Sequence, residues 1–303
     1  MDATIIPFIE GEARLNWHEL CAALAQGHTL PKAEIDDSFL YRGSDTLLSR
    51  SAWIDGLGLA VKSATVFPDN TSQGCPMVNG AVSLFCDTDG TLDAIVDFHL
   101  VTKWKTAGDS LYAALNLARP DSRSILIIGA GTVGQSLRAA YGAGFPEAEF
   151  TVWNRTHSKA EAMAQAAPFT QAAEDLEAAV RAADIITMAT MTRTPLLQGA
   201  WLQPGQHIDL IGAYRPDMRE ADDAALRRSQ IFVDSRDTTI GHIGEIEIPL
   251  ATGVITPADI IADFYQPEHF NRRSENEITL FKNGGGAHLD LMVSRYILDR
   301  WLT

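Results

Sequence analysis

The second half of the chain alternates short apolar runs with longer segments of helical composition. Each apolar run has the length of a buried strand, and segments such as 158–166 and 172–182 separate the runs. The runs lie at 125–129, 150–153, 185–189, 207–211 and 231–233. Strands that alternate with helices form right-handed βαβ units, so this pattern predicts a parallel sheet covered by helices.

The first part of the chain has a different pattern. Two apolar runs, 81–86 and 92–96, are separated by a polar turn that contains Gly90, which is typical of a hairpin of antiparallel strands. The polar segment 119–122 interrupts a helical pattern and marks a domain boundary. Near the C-terminal end, apolar residues recur at helical spacing, at Leu289, Met292, Val293, Tyr296, Ile297 and Trp301. They predict a packing helix that returns to the first domain.

Composition narrows the class of protein. The 303 residues carry a formal net charge of −15, which repels polyanions, so we expect no nucleic-acid partner. The longest apolar runs are far shorter than the roughly 20 residues that a membrane span needs. The first residues lack a basic region and a signal-peptide cleavage site. We expect a cytoplasmic protein without a membrane partner. The three cysteines have no CxxC or CxxH spacing, and we predict no metal site.

A glycine-rich turn follows the first predicted strand of the second domain. Gly129, Gly131 and Gly134 form a GxGxxG motif directly after an apolar run and directly before the helical segment 135–141. In this context the first glycine permits a tight turn, the second lets the backbone approach a pyrophosphate, and the third lets the helix pack closely on the strand. The helix N-terminus offers unpaired N–H groups to the anion. The motif predicts a dinucleotide-binding Rossmann domain and a nicotinamide-dependent oxidoreductase.

The end of the second strand of that domain bears on the choice of cofactor. An NAD-preferring site places Asp or Glu there, against the ribose 2′-hydroxyl, but this chain has Asn154, Arg155 and Thr156. An arginine can pair with a phosphate through two hydrogen bonds, and no carboxylate stands there to repel it. We therefore predict NADP(H) in preference to NAD(H). The alternative is that Arg155 stacks on the adenine or lies in solvent, which leaves the cofactor open.

Several segments together resemble the ornithine cyclodeaminase/mu-crystallin family, from about Arg42 to Asp290. The matching segments are 62–70 with Gly74 and Pro76, 102–107, 117–120 leading into 129–131, 152–156, 212–217 with Glu220, 233–235, and 280–283 ahead of a glycine run. The resemblance implies an α/β fold in which a Rossmann NAD(P)-binding domain is inserted in an α+β substrate and dimerisation domain. We accordingly assign 1–119 with a C-terminal return at 276–303 to the substrate domain, and 120–275 to the Rossmann domain. The resemblance also implies a homodimer.

The same resemblance implies the substrate residues. Arg42 and Lys62 fall on the family's carboxylate-binding arginine and active-site lysine. An imino or amino acid needs a cation for its carboxylate and a proton donor or acceptor beside its nitrogen. Lys105 stands where the family usually has arginine, and lysine cannot make the planar two-pronged contact. Thr106 keeps its place beside the cofactor phosphates. For each cation the alternative is an ordinary surface residue.

Tyr214 is the most informative departure from the family. Cyclodeaminases have an aspartate at this position, where a carboxylate handles water or the substrate's amines, and this chain lacks it. Asp217 lies nearby, but a turn or helix-capping role accounts for it equally well. Deamination with ring closure is therefore disfavoured, and hydride delivery to a preformed C=N bond is favoured. His288 and Asp290 have a spacing that a metal site can use, but the sequence offers no second cluster to complete a coordination sphere.

We predict an NAD(P)H-dependent reductase of imino acids, with a cyclic imine carboxylate such as Δ1-pyrroline-2-carboxylate as substrate and Lys62 as proton donor. The alternatives are an amino-acid dehydrogenase that works through an open-chain imine, an ornithine cyclodeaminase, and a non-catalytic ligand-binding protein of the mu-crystallin kind. The predicted catalytic residues are Lys62, Arg42, Lys105 and Tyr214. The predicted cofactor-binding residues are Thr106, Gly129, Ala130, Gly131, Thr132, Val133, Asn154, Arg155, Thr156, Thr190, Met191, Ile211, Gly212 and Asn283.

Overall fold

The computed structural model describes residues 3–303, with the backbone alone at position 71. The chain forms two compact units. The first consists of the residues up to Lys105 together with Gly285–Thr303, and the second is Thr106–Gly284. The second unit is thus an insertion in the sequence of the first. The chain passes from one unit to the other within a single helix, Phe98–Leu117.

Regular elements make up most of the described chain. In chain order, the strands of residues 3–303 are β1 (Thr4–Ile6), β2 (Glu34–Arg42), β3 (Asp45–Ile54), β4 (Gly58–Val66), β5 (Val78–Phe85), β6 (Leu92–Asp97), β7 (Ser124–Ile128), β8 (Glu149–Trp153), β9 (Thr170–Ala173), β10 (Ile185–Met188), β11 (His207–Leu210), β12 (Ser229–Val233), β13 (Ile260–Ala262) and β14 (Ile278–Lys282). The α-helices of the same residues are α1 (Phe8–Glu12), α2 (Trp17–Gly27), α3 (Phe98–Leu117), α4 (Thr132–Gly144), α5 (His157–Ala166), α6 (Leu176–Ala182), α7 (Asp223–Arg228), α8 (Arg236–Thr239), α9 (Gly244–Ala251) and α10 (Ala287–Leu302). None of these helices is long and apolar enough to cross a lipid bilayer.

The first unit is built on a six-stranded sheet with the strand order β1-β6-β5-β4-β3-β2. β1 pairs with β6 in parallel, and the other pairs are antiparallel, including the predicted hairpin of β5 and β6. Side chains alternate between the two faces of such a sheet. In β3 and β4, even-numbered residues such as Ala52 and Ala60 are buried on the face that α10 covers. Odd-numbered residues such as Leu47 and Trp53 are exposed on the opposite face.

Helix α10 is the predicted C-terminal packing helix. Its side chains are buried almost all round from Ala287 to Leu298, and it packs on α2 and on the sheet of the first unit. The approach of α2 requires glycine at its C-terminal end, because a Cβ on Gly27 would lie 2.7 Å from the Sδ atom of Met292. The first turn of α10 carries Asp290. The packing of this helix therefore fixes where that carboxylate lies.

The second unit contains an eight-stranded sheet with the order β13-β12-β14-β11-β10-β7-β8-β9. All its strand pairs are parallel. Buried side chains of the central strands, such as Leu126, Ile186 and Ile208, form the core against the covering helices. This is the doubly wound architecture that the alternating pattern predicts. The predicted fold class, a Rossmann domain inserted in an α+β domain, is confirmed.

Two features of the second unit differ from the prediction. The helix predicted at 172–182 begins only at Leu176, after Asp175 caps it by accepting a hydrogen bond from the Ala178 N–H at 3.1 Å. Residues 170–173 form the edge strand β9 instead. Strand β14 lies between β11 and β12 and therefore belongs to the second unit. The two units divide at 105/106 and 284/285, whereas the predicted boundaries are 119/120 and 275/276. The sequence of a short, fully buried strand such as β14 does not indicate which sheet it joins.

Candidate active site

The predicted dinucleotide turn lies between β7 and α4 in the second unit. Gly129 has a φ of +116°, and a Cβ there would lie 2.7 Å from the carbonyl oxygen of Ala189. A Cβ on Gly134 would lie 1.9 Å from the carbonyl oxygen of Gly129, so only glycine allows the helix to pack this closely. A Cβ on Gly131, by contrast, would meet no atom within 4 Å. Packing therefore requires the first and third glycines, and the open space at the second fits the approach of a pyrophosphate.

The start of α4 and the end of β8 border this turn. Thr132 and Val133 are the first residues of α4, where backbone N–H groups lack helical partners and attract anions. Asn154, just after β8, accepts a hydrogen bond from the Ala130 N–H at 3.1 Å. This contact ties the glycine turn to the neighbouring strand end. The residues present thus fit the phosphates of a dinucleotide.

The end of β8 also carries the residues that bear on cofactor choice. The Asn154 side chain donates a hydrogen bond to the carbonyl oxygen of Thr156 at 2.9 Å, which shapes the loop. Arg155 and Thr156 are exposed at this edge. The guanidinium is therefore accessible to a ligand that binds along the turn.

The other predicted cofactor residues follow three neighbouring strands of the second unit. Thr190 and Met191 come after β10, Ile211 and Gly212 after β11, and Asn283 after β14. Because the strands are parallel and adjacent, their carboxyl ends lie at the same edge of the sheet. The Asn283 side chain donates hydrogen bonds to the carbonyl oxygen of Thr106 and to the hydroxyl of Ser110, both at 3.1 Å.

A buried glutamate joins two of these strand ends. Glu220 is fully buried, and its Oε1 accepts hydrogen bonds from the N–H of Thr190 at 2.8 Å and from the hydroxyl of Thr190 at 2.7 Å. Its Oε2 accepts a hydrogen bond from the N–H of Gly212 at 2.6 Å. Burial and the nearby carboxylate of Glu245 raise the pKa of Glu220 to about 8. Sequence reasoning assigns no role to this residue beyond its place in the family pattern.

A group of buried charges lies in the first unit, around Asp290. Lys62 on β4 places its Nζ 3.0 Å from Asp290 Oδ1 and donates a hydrogen bond to the Thr102 hydroxyl at 2.9 Å. Lys105 on α3 places its Nζ 3.0 Å from the same carboxylate oxygen and donates to the carbonyl oxygen of Gly285 at 3.0 Å. Both lysines are 5% exposed, and the aspartate is 1% exposed. One carboxylate oxygen therefore holds two ammonium groups.

Three elements position these side chains. The pleat of β4 directs Lys62 to the buried face of the sheet. Thr102 and Lys105 are three residues apart on α3, so both lie on one side of that helix. Asp290 lies in the first turn of α10, where the helix dipole stabilises a carboxylate.

Arg50 adds a third cation. It lies directly opposite Lys62 in the pairing of β3 with β4, so the two side chains share one face of the sheet. Its Nη1 donates a hydrogen bond at 2.9 Å to the Gly285 carbonyl that Lys105 also contacts, and its guanidinium pairs with Asp37 at 3.0 Å. Its side chain is 22% exposed, so Arg50 forms the accessible edge of the group. We call Arg50, Lys62, Lys105 and Asp290 the Asp290 cluster.

The cluster changes the ionisation of its members. Burial alone would raise the pKa of Asp290, but the ammonium groups of Lys105 and Lys62 outweigh it and bring the pKa to about 2. Burial lowers the pKa of Lys105 to about 8; Asp290 opposes this shift, and Lys62 and Arg50 add to it. Burial, with His28 and Lys105 nearby, lowers the pKa of His288. The cluster thus keeps its carboxylate ionised beside a lysine that titrates in a physiological range.

The structure does not bring Arg42 to this cluster. Arg42 pairs with Asp45 at the hairpin end of β2 and β3, with 2.8 Å between Nη2 and Oδ2, and its side chain is 80% exposed. Asp45 and Arg50 are an odd number of residues apart on β3, so Arg42 lies on the opposite face of the sheet from Arg50. The distance along the strand is about 17 Å at roughly 3.4 Å per residue. Tyr214, in the second unit, is 60% exposed.

Sequence reasoning therefore misses two members of the cluster. It assigns no role to Arg50 and considers Asp290 only as a potential metal ligand. Among residues 3–303, no group of three His, Cys, Asp or Glu side chains is arranged to hold a metal ion. The signal for Arg50 is its register opposite Lys62, which requires the strand pairing to be known.

Comparison with known proteins shows the family of this chain. A family model described as the ornithine cyclodeaminase/mu-crystallin family matches residues 54–303. The chain belongs to this family. The resemblance inferred from the sequence motifs is thereby confirmed.

Within the family, the chain is similar to a Delta(1)-pyrroline-2-carboxylate reductase of Paracoccus denitrificans. The two are 51% identical over 296 residues, which cover 95% of this chain and 94% of the relative. The fold is similar to that of a Thermococcus litoralis Delta(1)-pyrroline-2-carboxylate reductase in complex with NADH and L-proline, with 25% identity, a TM-score of 0.89, and coverage of 99% and 97%. It is also similar to an archaeal alanine dehydrogenase dimer with bound NAD, with 26% identity, a TM-score of 0.90, and coverage of 100% and 97%.

The Asp290 cluster predicts a large effect of one isosteric substitution on this family member. Asp290→Asn leaves two buried ammonium groups without their counter-charge, and we expect it to lower the free energy of unfolding by about 3 kcal/mol. The exposed pair at the hairpin end supplies the control, since Asp45→Asn should cost less than about 1 kcal/mol. Urea unfolding of the three proteins measures both values. Equal effects of the two substitutions would contradict the role given to Asp290.

The difference in unfolding free energy between wild type and Asp290→Asn should depend on pH. The pKa of Asp290 in the folded protein, about 2, lies below its unfolded value, so its stabilising contribution is complete above the unfolded pKa. It is lost as the pH falls toward the folded value. The difference in stability between wild type and Asp290→Asn should therefore shrink as the pH is lowered below about 4.

Proposed function

We propose that the protein is an NAD(P)H-dependent reductase of imino acids, and that its substrate is a cyclic imine carboxylate such as Δ1-pyrroline-2-carboxylate. The observation that carries the proposal is the Asp290 cluster. Such a substrate presents one carboxylate and one nitrogen that must gain a proton, and the cluster offers several cations around a single fixed carboxylate. The similarity to two reductases of this substrate supports the same choice.

The reduction requires a hydride and a proton, and the cluster supplies the proton. When bound, the reduced nicotinamide supplies the hydride that the carbon of the C=N bond gains. Lys62 Nζ donates the proton that the nitrogen gains, so that the imine becomes an amine. Asp290 and Thr102 hold that Nζ by hydrogen bonds at 3.0 and 2.9 Å. The geometry of proton transfer is thus set before the substrate arrives.

The substrate carboxylate needs a cation that can be reached from solvent, and Arg50 meets this condition because its side chain is 22% exposed. We assign the carboxylate to Arg50 together with the buried Lys105, because both donate to the Gly285 carbonyl and therefore lie side by side. Arg50 offers the planar donor arrangement that Lys105 lacks. In this assignment, Arg50 takes the part that the family resemblance implies for Arg42.

The cofactor would be held by the second unit. The glycine turn and the start of α4 fit the pyrophosphate, and the loops after β10 and β11 would contact the nicotinamide half. We propose NADP(H) in preference to NAD(H), because Arg155 is exposed beside Asn154 and Thr156, and none of the three is acidic.

A second candidate is an amino-acid dehydrogenase that acts through an open-chain imine. The similarity in fold to the archaeal alanine dehydrogenase favours it. Reduction of a 2-oxo acid that depends on ammonia would support this candidate, whereas reduction of a preformed cyclic imine without ammonia supports the first. A non-catalytic ligand-binding role predicts no steady turnover with either.

We expect the purified protein to consume NADPH steadily with Δ1-pyrroline-2-carboxylate and to form proline. Lys62→Met keeps most of the side-chain length and removes the proton donor, so it should lower kcat by a factor on the order of 10² to 10⁴ while NADPH still binds. Ornithine serves as the control substrate, because Tyr214 replaces the carboxylate of cyclodeaminases. Substantial release of ammonia from ornithine, or near-normal turnover by Lys62→Met, would refute this mechanism.

The two arginines of the first hairpin should behave differently. A charge-assisted hydrogen bond is worth about 1.5–3 kcal/mol, so Arg50→Ala should raise KM for the imine roughly 10- to 100-fold. Arg42→Ala should change KM less than about twofold, because an exposed surface pair contributes little. Steady-state kinetics of both variants decide between them. A large rise in KM for Arg42→Ala with little change for Arg50→Ala would show that Arg42 binds the substrate carboxylate.

We expect NADPH to bind more tightly than NADH. Arg155→Ala should weaken NADPH binding by about tenfold or more, through loss of a charge-assisted hydrogen bond to the 2′-phosphate, and leave NADH binding unchanged. Fluorescence titration with both cofactors measures this. Tighter binding of NADH by the wild type, or an unchanged preference in the variant, would show that this strand end does not select the cofactor.

We also propose a homodimer that uses the open face of the first sheet. Leu40, Leu47 and Trp53 are exposed there, and large apolar side chains grouped on one sheet face are typical of an interface. We expect Trp53→Asp to shift the protein toward monomer in sedimentation. Leu302→Asp, at an exposed apolar position on α10, is the matched control and should leave the mass unchanged. A wild-type monomer at micromolar concentration would disprove the assembly.

A further inference from the structure

One side chain of the second unit ties together two loops of the predicted cofactor site. The Glu220 carboxylate accepts hydrogen bonds from Thr190 with one oxygen and from Gly212 with the other. Thr190 follows β10 and Gly212 follows β11, and these strands are neighbours in the sheet. The carboxylate therefore spans two strand ends instead of capping one.

The backbones of the two strand ends are also in close contact. A Cβ on Gly212 would lie 2.0 Å from the carbonyl oxygen and 2.3 Å from the nitrogen of Thr190. A Cβ on Gly129, the first glycine of the turn, would lie 2.7 Å from the carbonyl oxygen of Ala189. The chain around Thr190 thus touches both the dinucleotide turn and the loop after β11. A shift of this segment would move both.

Glu220 is itself held in place by buried groups. The carboxylate of Glu245 accepts a hydrogen bond from the Glu220 N–H at 2.6 Å. Lys282 is fully buried, donates a hydrogen bond to the carbonyl oxygen of Leu210 at 2.8 Å, and offsets the charge of the two glutamates. A buried polar network whose members are hydrogen-bonded is rigid. The loops are therefore attached to a fixed point.

The side chains next to the fixed backbone point outward. Met191 is 75% exposed and Tyr214 is 60% exposed, whereas Glu220 is fully buried. Glu220 is therefore out of reach of a ligand and can act on one only through the loops.

We propose that Glu220 is a positioning residue for the nicotinamide half of the dinucleotide. The pyrophosphate is expected at the turn after β7 and the adenosine at the end of β8, so the other half extends toward β10 and β11, on the opposite side of β7. Glu220 fixes the separation of the two loops there through its hydrogen bonds to Thr190 and Gly212. The inference rests on the proposed function, because it requires a nicotinamide cofactor.

The test compares two ligands that differ only in the nicotinamide ring. NADPH and 2′-phospho-ADP-ribose are titrated into wild type and Glu220→Gln at a pH above 8, where the wild-type carboxylate is ionised. The Gln side chain has an NH₂ group in place of one carboxylate oxygen, and this group faces a backbone N–H. One of the two loops therefore loses its hydrogen bond to residue 220. We expect NADPH affinity to fall by a factor on the order of 10 to 100, because small displacements at a site are costly. Affinity for the fragment should stay within about twofold.

Asp209→Asn is the matched control. Asp209 is also fully buried in the second unit and accepts hydrogen bonds from Ser110, Tyr141 and Thr187, but from neither loop. We expect this variant to lose stability without changing the ratio of the two affinities. A Glu220→Gln variant that binds both ligands like wild type, or weakens both equally, overturns the inference. If wild type binds the fragment but gains nothing from the ring, the proposed function fails as well.

Wild-type protein gives a second readout that needs no substitution. The charged groups that face Glu220 are Glu245 and Lys282, and only ionised Glu220 accepts with both oxygens. Since the pKa of Glu220 is about 8, the ratio of NADPH to fragment affinity should rise as the pH increases through that value. The phosphates are common to both ligands, so their own ionisation cancels. A ratio that stays flat with pH in wild type contradicts the positioning role.

Discussion

The contact of one buried carboxylate oxygen with two lysine ammonium groups is the constraint on which the first unit depends. Burying an ammonium group is costly unless an opposite charge lies beside it, and Asp290 meets this need for Lys62 and Lys105 at once. The lysines come from a strand and a helix, and the aspartate comes from the helix that covers the sheet. The three side chains that stabilise one another by charge are therefore also the ones to which we assign the proposed chemistry.

Strand register decides which cations belong to this group. Arg42 and Arg50 are both on the first hairpin, but the alternation of side chains places them on opposite faces of the sheet. Only Arg50 lies beside Lys62. The same alternation leaves exposed apolar side chains on the other face, so the proposed reaction site and the proposed dimer surface lie on opposite faces of one sheet.

The sequence alone predicts what short-range patterns determine. The βαβ alternation and the glycine turn predict the fold class correctly, because each depends on neighbouring residues; the family motifs single out Lys62, whose catalytic role stays a prediction. Arg50, Asp290 and Glu220 are different, since each contacts a residue on another element that the folded chain brings to it, 235, 228 and 30 residues away respectively. The position of β14 between β11 and β12 cannot be predicted from the sequence either, because its pairing partners are not its neighbours along the chain. The loops after β10 and β11 carry predicted residues, but nothing in their sequence indicates the carboxylate that joins them.

The insertion of the second unit within the first has a consequence for synthesis on the ribosome. The strands of the first sheet emerge early, whereas α10 emerges only after residues 106–284 have been made. The second unit is continuous in sequence and can fold as soon as it leaves the exit tunnel. Throughout that interval the sheet lacks the helix that covers it, and Lys62 and Lys105 lack the carboxylate of Asp290. The arrival of this single, largely buried helix then completes a domain whose other parts were translated long before.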